Sequence, residues 1–457
     1  MKMKNRVLTV SALALISAGS TPGALATNGY FTHGLGVKNK SLAGAGTAAP
    51  SEAIAVASNP ASAVIVGDSG IEVGLAFFSP RREYSSSPSL VNGNFGAFSL
   101  GPNKVKSDSN FFPIPYVGKS WKLGETSAFA VNFYGRGGMN TDYHSGSATL
   151  DPDGPGPAPV LTLPGAFGDG TAGVNLNQAF LEATYAIQSG PLSLGISAVF
   201  AIQSFRLKGV GTFAGFTKTF AASGGTVFPT NLADNGSDIS TGFGFKVGGI
   251  WAVNEKLSFG LAYQSETKMS EFDDYSDIFA EGGGFDIPAN TRISASYKLT
   301  PAFSLHLDFE KTYYSNVPSV ANGIANIFNC PTANPLATDI ESCLGGENGA
   351  GFGWDDVPVI KVGAEWAMDG KTTFRAGYSK AGQPIGDDQV LFNIIAPATV
   401  EKHFTFGFTR TLNNDRDLSV AVMYAPAESV SGTNPFDPTQ TIEIEMYQYE
   451  LEIGYSF

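Results

Sequence analysis

From about residue 70 to the C-terminus, apolar positions alternate with polar or small ones at a period of two, in stretches of about ten residues. In the last stretch Tyr447, Tyr449, Leu451, Ile453, Tyr455 and Phe457 fall on one face, and Gln448, Glu450, Glu452, Gly454 and Ser456 on the other. A strand turns successive side chains to opposite faces, so one side of such a segment suits lipid and the other water. Leu192, Leu194, Ile196, Ala198, Phe200 and Ile202 repeat the pattern against Ser193, Gly195, Ser197 and Gln203. Marking every such segment predicts strands near 71–82, 111–122, 126–138, 174–188, 191–206, 240–253, 256–271, 287–299, 302–315, 354–367, 371–382, 398–411, 416–427 and 441–457. Short connections (123–125, 189–190, 254–255, 300–301, 368–370 and 413–415) alternate with long ones. An even strand count, with tight turns at one rim and long loops at the other, predicts an all-β fold: a 14-stranded antiparallel transmembrane β-barrel over residues 71–457. A soluble sandwich or propeller would share the alternation but not the lopsided loops or the aromatic final strand.

The polarity of the alternation reverses at Met446–Tyr447. Two readings stay open: an upper lumen made apolar by Ile442, Ile444 and Met446, or a β-bulge near 446 that flips the register.

Composition narrows the class. The 457 residues are 43% hydrophobic and 15% charged, with 28 Lys and Arg against 41 Asp and Glu. A net charge of -13 argues against gripping nucleic acid. No apolar run of helical-span length occurs beyond the N-terminus, so any membrane crossing must come from strands. Lys2, Lys4 and Arg6, an apolar run over 7–19 and Ala24-Leu25-Ala26 have the form of a signal peptide, residues 1–26. For an exported chain, Cys330 and Cys343 in one Gly/Asn/Pro-rich stretch are expected to form a disulfide. Four scattered His and two Cys offer no metal shell, and no nucleophile-elbow, phosphate-loop or dinucleotide motif is present. No metal, cofactor, catalytic residue or enzymatic activity is therefore expected. Ser304, His306 and Asp308 share a strand face, but at roughly 6 to 7 Å between neighbours they are too far apart for a triad.

A barrel of this width is not filled by its own side chains. Residues 27–70, rich in Ala and Gly, are expected to supply an N-terminal hatch inside the lumen, with Ser51 capping a short helix that stops before Asn59-Pro60.

The runs Asn28-Gly29-Tyr30-Phe31, His33-Gly34-Leu35-Gly36-Val37-Lys38-Asn39-Lys40-Ser41, Ala43-Gly44-Ala45-Gly46 and Asn59-Pro60-Ala61 resemble the FadL family of outer-membrane long-chain fatty acid transporters. The resemblance implies a hatch inside a fourteen-strand barrel, an outer low-affinity groove, an inner high-affinity pocket, and lateral exit through a break in the third strand. It maps a hatch gate onto Asn59, Pro60 and Ala61 and carries Tyr30 and Phe31 toward the pocket. Members take fatty acids or, in some branches, aromatic hydrocarbons. The start of this hatch differs from the enterobacterial form.

Among cations on inward phases (Arg136, Lys246, Arg292, Lys361 and Arg375), Arg292 has Asp308 and Glu310 across its hairpin. Lys246 shows no carboxylate directly opposite, which makes it a candidate anchor for a ligand carboxylate. Gly135, Gly137 and Gly138 end the third strand, either as an ordinary passage into a loop or as the break that opens the wall. The strand pattern taken together with the resemblance implies a monomeric bacterial outer-membrane channel for passive uptake of hydrophobic small molecules, foremost long-chain fatty acids, released sideways into membrane lipid. An aromatic-hydrocarbon channel, a surface adhesin or structural barrel, and a porin for polar solutes are the rivals.

Overall fold

Alternation is realised as fourteen antiparallel strands, numbered in chain order: β1 Glu72–Ser86, β2 Phe112–Lys122, β3 Ser127–Asn140, β4 Gly173–Ser189, β5 Leu192–Lys208, β6 Asp238–Ala252, β7 Leu257–Gln264, β8 Asn290–Thr300, β9 Phe303–Thr312, β10 Val357–Ala367, β11 Thr372–Ala381, β12 Lys402–Thr411, β13 Asp417–Asn434 and β14 Asp437–Ser456. The structure is a computed structural model that describes residues 28–151, 159–413 and 416–457, so the expected signal peptide lies outside the described residues. Each strand pairs with its sequence neighbours, and β1 pairs with β14 from Glu72–Ser456 to Ser86–Ile442, which closes the barrel. Closure leaves neither end of the sheet as a free strand. Among the described residues no helix is long and apolar enough to cross a membrane.

The apolar phases face outward. Ile196, Phe243, Leu261, Ile293, Leu307, Ile360, Phe406 and Leu451 are all exposed on the outer wall, while the opposite phase is buried and largely polar: Glu182, Ser197, Gln203, Ser294, Asp308, Lys361, His403 and Glu452.

Two departures from the predicted strands stand out, and one reading left open by the sequence is resolved. β7 stops at Gln264, and Lys268–Met269 instead pair with Phe243 and Gly242 of β6. The predicted long connection between the last two strands is a tight turn at 435–436, so β13 and β14 form a tall hairpin. The register between β1 and β14 is unbroken through 446, and Ile442, Ile444 and Met446 are all fully buried. The upper lumen is therefore apolar there, and the register shift falls on β13, between Ala425 and Glu428.

Residues 28–70 form short turns of helix, Val37–Lys40, Ala53–Ala57 and Ser62–Val66, with mostly buried side chains. Ala53–Ala57 is a 3-10 turn without a side-chain cap, so Ser51 does not cap it. The segment docks on inward-facing strand residues: Lys40 pairs with Glu450 at 2.9 Å and Glu452 at 2.6 Å, and Asp308 accepts the backbone N–H groups of Gly46 and Thr47. Where it touches the wall, the strands carry glycine. A Cβ on Gly195, Gly248, Gly363, Gly377, Gly407 or Gly454 would lie within 3 Å of its atoms.

Candidate functional site

Three features occupy the lumen, and a fourth lies in the wall. The first is a cavity at the long-loop end, with about 40 Å³ open to the centre of a water-sized particle. Phe167, Phe205, Phe213, Phe279, Phe352 and Phe392 line it, contributed by β5 and five of the long connections. Its only polar side chain, Ser319, donates its hydroxyl to the Gly284 carbonyl. A wall of this kind binds by apolar burial alone.

The second is an aromatic floor. Phe279 of the cavity wall contacts Phe285 at 4.9 Å, and Phe285 faces Tyr30 at 6.2 Å. Tyr30 also packs on Phe31, Tyr314 and Trp354, and it is fully buried. Its backbone N–H donates to the Tyr314 hydroxyl, which donates onward to the Asn28 carbonyl. Below, the Arg136 guanidinium lies 4.4 Å from the Phe31 ring centroid.

Arg136 opens the third feature, a cluster of buried charges. Glu310 receives Arg292 at 2.6 Å, Lys361 at 2.5 Å and Arg136 at 3.3 Å. Lys246 is not left without a carboxylate. Its ammonium donates to Glu182, to the Tyr134 hydroxyl and to the Ala57 carbonyl, each at 2.7 Å, which uses all three of its hydrogens. Glu182 reaches it from β4, two strands away, across the small residue Ser197, and that reach is invisible to nearest-neighbour register. Lys246 thus clamps the N-terminal segment through Ala57. Lys246→Met is expected to leave Glu182 buried and unpaired, at a cost of about 3 to 5 kcal/mol in urea unfolding, with most recovered by Lys246→Met/Glu182→Leu. Equal stability of the single variant and the wild type would remove the clamp.

Asn59, Pro60 and Ala61 sit against β6 and β7. The Asn59 amide donates to the carbonyls of Gly249 and Leu261, each at 3.3 Å, while its oxygen accepts the Ala61 N–H at 3.0 Å. One side chain therefore ties two strands to the start of the Ser62–Val66 helix. Ser304, His306 and Asp308 do not assemble: His306 Nδ1 meets Ser296 and Asp308 holds the N-terminal segment. Cys330 and Cys343 form a disulfide within the 313–356 connection. Uptake is expected to survive Cys330→Ser/Cys343→Ser, since the cavity residues Ala350 and Phe352 lie outside the closed ring, while protease resistance of that loop falls. Loss of uptake in that variant would place the ring in the conduit.

Gly135, Gly137 and Gly138 lie at a break in pairing. The β2–β3 ladder runs from Lys122–Ala128 to Tyr116–Tyr134 and stops there. On its other side β3 continues along β4 to Asn140–Asn175, with a register shift between Gly135 and Gly137. Alternation of burial ends at the same place, and Arg136 to Asn140 are all buried, so the strand bends into the lumen. The N-terminal segment takes the vacated edge: Thr32 N–H donates to Arg136 at 3.0 Å, and Gly138 N–H donates to Tyr30 at 3.1 Å. Above the gap, Ser109 bonds Asn140 at 2.7 Å and Asp108 N–H meets the Asp142 carbonyl at 2.9 Å. The gap is thus a bounded window.

Sequence reading missed the partner of that bend. Leu123 N–H bonds Ser127 at the β2–β3 turn and Ser120 C=O bonds Ser69 beside β1, so odd-numbered residues of β2 turn their backbone toward β3. Pro113 and Pro115 occupy those positions and have no N–H to give. Two prolines two residues apart in a strand are a legible sign of an unpaired edge. Arg82 was missed as well. It points inward and is buried; it donates to the Ser109 carbonyl, keeps Nη2 unpartnered, and has no carboxylate partner among the described residues.

Residues 167–446 match the model of a family described as outer membrane protein transport protein (OMPP1/FadL/TodX). The chain belongs to this family. It is accordingly a bacterial outer-membrane channel of FadL/TodX type. The fold is shared with the Pseudomonas putida toluene transporter TodX (TM-score 0.63, 15% identity, 93% of this chain and 99% of that one). A Pseudomonas aeruginosa FadL homologue (0.61, 14%, 94% and 100%) and the Ralstonia pickettii toluene transporter TbuX (0.54, 16%, 93% and 99%) share it too. No curated protein sequence matches the chain significantly.

Proposed function

We propose that the channel takes small uncharged apolar molecules, aromatic ones foremost, into the phenylalanine-lined cavity and releases them into the membrane through the window between β2 and β3. Residues 28–70 act as the hatch, and Asn59, Pro60 and Ala61 hold it docked. The observation that carries this reading is the β3 edge from Gly135 onward, which has lost β2 and faces two prolines. The cavity favours an uncharged solute because its wall has no cation, and Tyr30 and Phe31 separate it from the charge cluster below, where Lys246, Arg292 and Lys361 are already paired. A carboxylate there would lose its hydration without replacement.

Long-chain fatty acids remain the second reading, favoured by one observation: Arg82, whose unpartnered Nη2 suits a carboxylate. Radiolabelled toluene and oleate uptake by cells with and without the protein separates the two. The first reading expects protein-dependent toluene uptake that Arg82→Leu leaves intact. Oleate uptake that Arg82→Leu abolishes, with no toluene uptake, would overturn it.

A further inference from the structure

Beneath Phe31 lies a second cavity, separate from the phenylalanine-lined one. It has space for a single water-sized particle, about 10 Å³ for its centre. Ser58 lines it from the N-terminal segment, and Arg136, Lys246, Gln264, Asn290 and Arg292 line it from β3, β6, β7 and β8. No carboxylate lines it.

Its polar groups are donors in search of an acceptor. Gln264 Oε1 accepts from Arg136 Nη1 at 2.5 Å, which fixes the amide, and Gln264 Nε2 is left with no partner. Arg292 spends Nη1 on Thr47 and Nη2 on Glu310, and its Nε is left with none. Ser58 Oγ also lacks a partner. Gln264 and Arg292 are 4% and 6% exposed, so bulk water does not serve them. Buried donors of this kind cost stability unless something accepts from them.

Charge points the same way. Around the cavity four cations, Arg136, Arg292, Lys246 and Lys361, stand against three carboxylates, Glu182, Asp308 and Glu310, so the cluster itself carries one positive charge in excess; the balancing negative charge is on β14, where the one ammonium of Lys40 meets both Glu450 and Glu452. A water molecule would accept from the donors but would not offset that charge. A carboxylate, sulfate or phosphate is too large for the space.

We propose that this cavity binds one small monovalent anion of the halide class, held by Gln264 Nε2 and Arg292 Nε, and that the bound ion fastens the N-terminal segment to the barrel wall. Crystals grown with bromide in place of chloride are expected to show an anomalous bromine peak in the cavity, within hydrogen-bond reach of those two nitrogens. Water alone there would overturn the proposal. In detergent, the unfolding midpoint of the full-length protein is expected to rise with each tenfold increase of chloride or bromide, and not with gluconate at equal ionic strength. A bromide peak without that halide-specific rise is binding at crystal concentration only and would also overturn it. Gln264→Glu places a fixed negative charge where the ion would sit, so the halide-dependent rise is expected to vanish. If it persists undiminished in a folded Gln264→Glu barrel, the ion is not held there. Should that variant fail to fold, the two wild-type measurements decide.

Discussion

A phenylalanine at Gly138 is expected to stop uptake of apolar solutes while they still bind from the outside. Gly138 lies on the inward-bent end of β3, where its N–H bonds Tyr30 and the β2 ladder is already gone. A bulky side chain there fills the window or displaces the N-terminal segment from the β3 edge. The remaining route leads into periplasmic water. A solute with about six CH2-sized groups that leaves into water rather than hydrocarbon forgoes about 5 kcal/mol, so uptake should fall by more than the order of tenfold that 1.4 kcal/mol represents. Pro113→Val/Pro115→Val tests the opposite edge: it returns two N–H donors toward β3, so slower uptake and a more stable barrel are expected together. Heat-modifiable gel mobility monitors folding in both variants. Full transport by a folded Gly138→Phe barrel would return these glycines to an ordinary strand end.

Leucine at Gly195 or Gly377 is expected to force the N-terminal segment off the wall and turn a selective channel into an open one. A Cβ at Gly195 would lie 2.4 Å from the Pro60 backbone carbon, and one at Gly377 would lie 2.2 Å from that of Leu42. Backbone atoms are the obstacle in both cases, so rotation of a flexible side chain cannot relieve the clash. The strand loses nothing by the change, since Leu is tolerated in sheets at least as well as Gly. Emptied, a fourteen-strand lumen admits water and ions, and single-channel conductance in planar bilayers should rise on the order of tenfold. Sensitivity of cells to bulky polar antibiotics should rise with it. Wild-type conductance in both variants would show that the segment tolerates displacement and does not seal the lumen.

The strands were legible because lipid outside and water inside impose opposite chemistry on alternating positions, and each of the fourteen carries that signature. The signature fails where the medium changes. On the tall β13–β14 hairpin the outward phase carries Glu443 and Glu445, the inward phase carries the buried Ile442 and Ile444, and a register shift at Ala425–Glu428 interrupts the neighbour. A polarity reversal there looks like a bulge or a strand end, and the tight turn behind it looks like a loop. Chemistry in the lumen was legible only along direct register. Arg292 and Glu310 are register partners and pair as the hairpin suggests. The ion pair of Lys246 with Glu182 spans an intervening strand, and the contacts of Asn59 with Gly249 and Leu261 join positions about 200 residues apart, which no local pattern encodes.

Those distant contacts also bear on how the molecule is put together. Lys40 is held by β14, Ser41 by β12, Thr47 by β9 and Asn59 by β6 and β7, so the earliest part of the chain is fixed by its latest parts. Ser41 and Thr405 are 364 residues apart in sequence, a separation that makes such contacts slow to form. A finished cylinder whose inner glycines touch the segment on many sides leaves no path for threading it in afterwards. These contacts form most directly if the wall is laid around the N-terminal segment, with the β1–β14 seam, where the two ends of the sheet meet, closing last. A segment that cannot fold onto its neighbours in time would be sealed out, giving a closed barrel with the wrong interior.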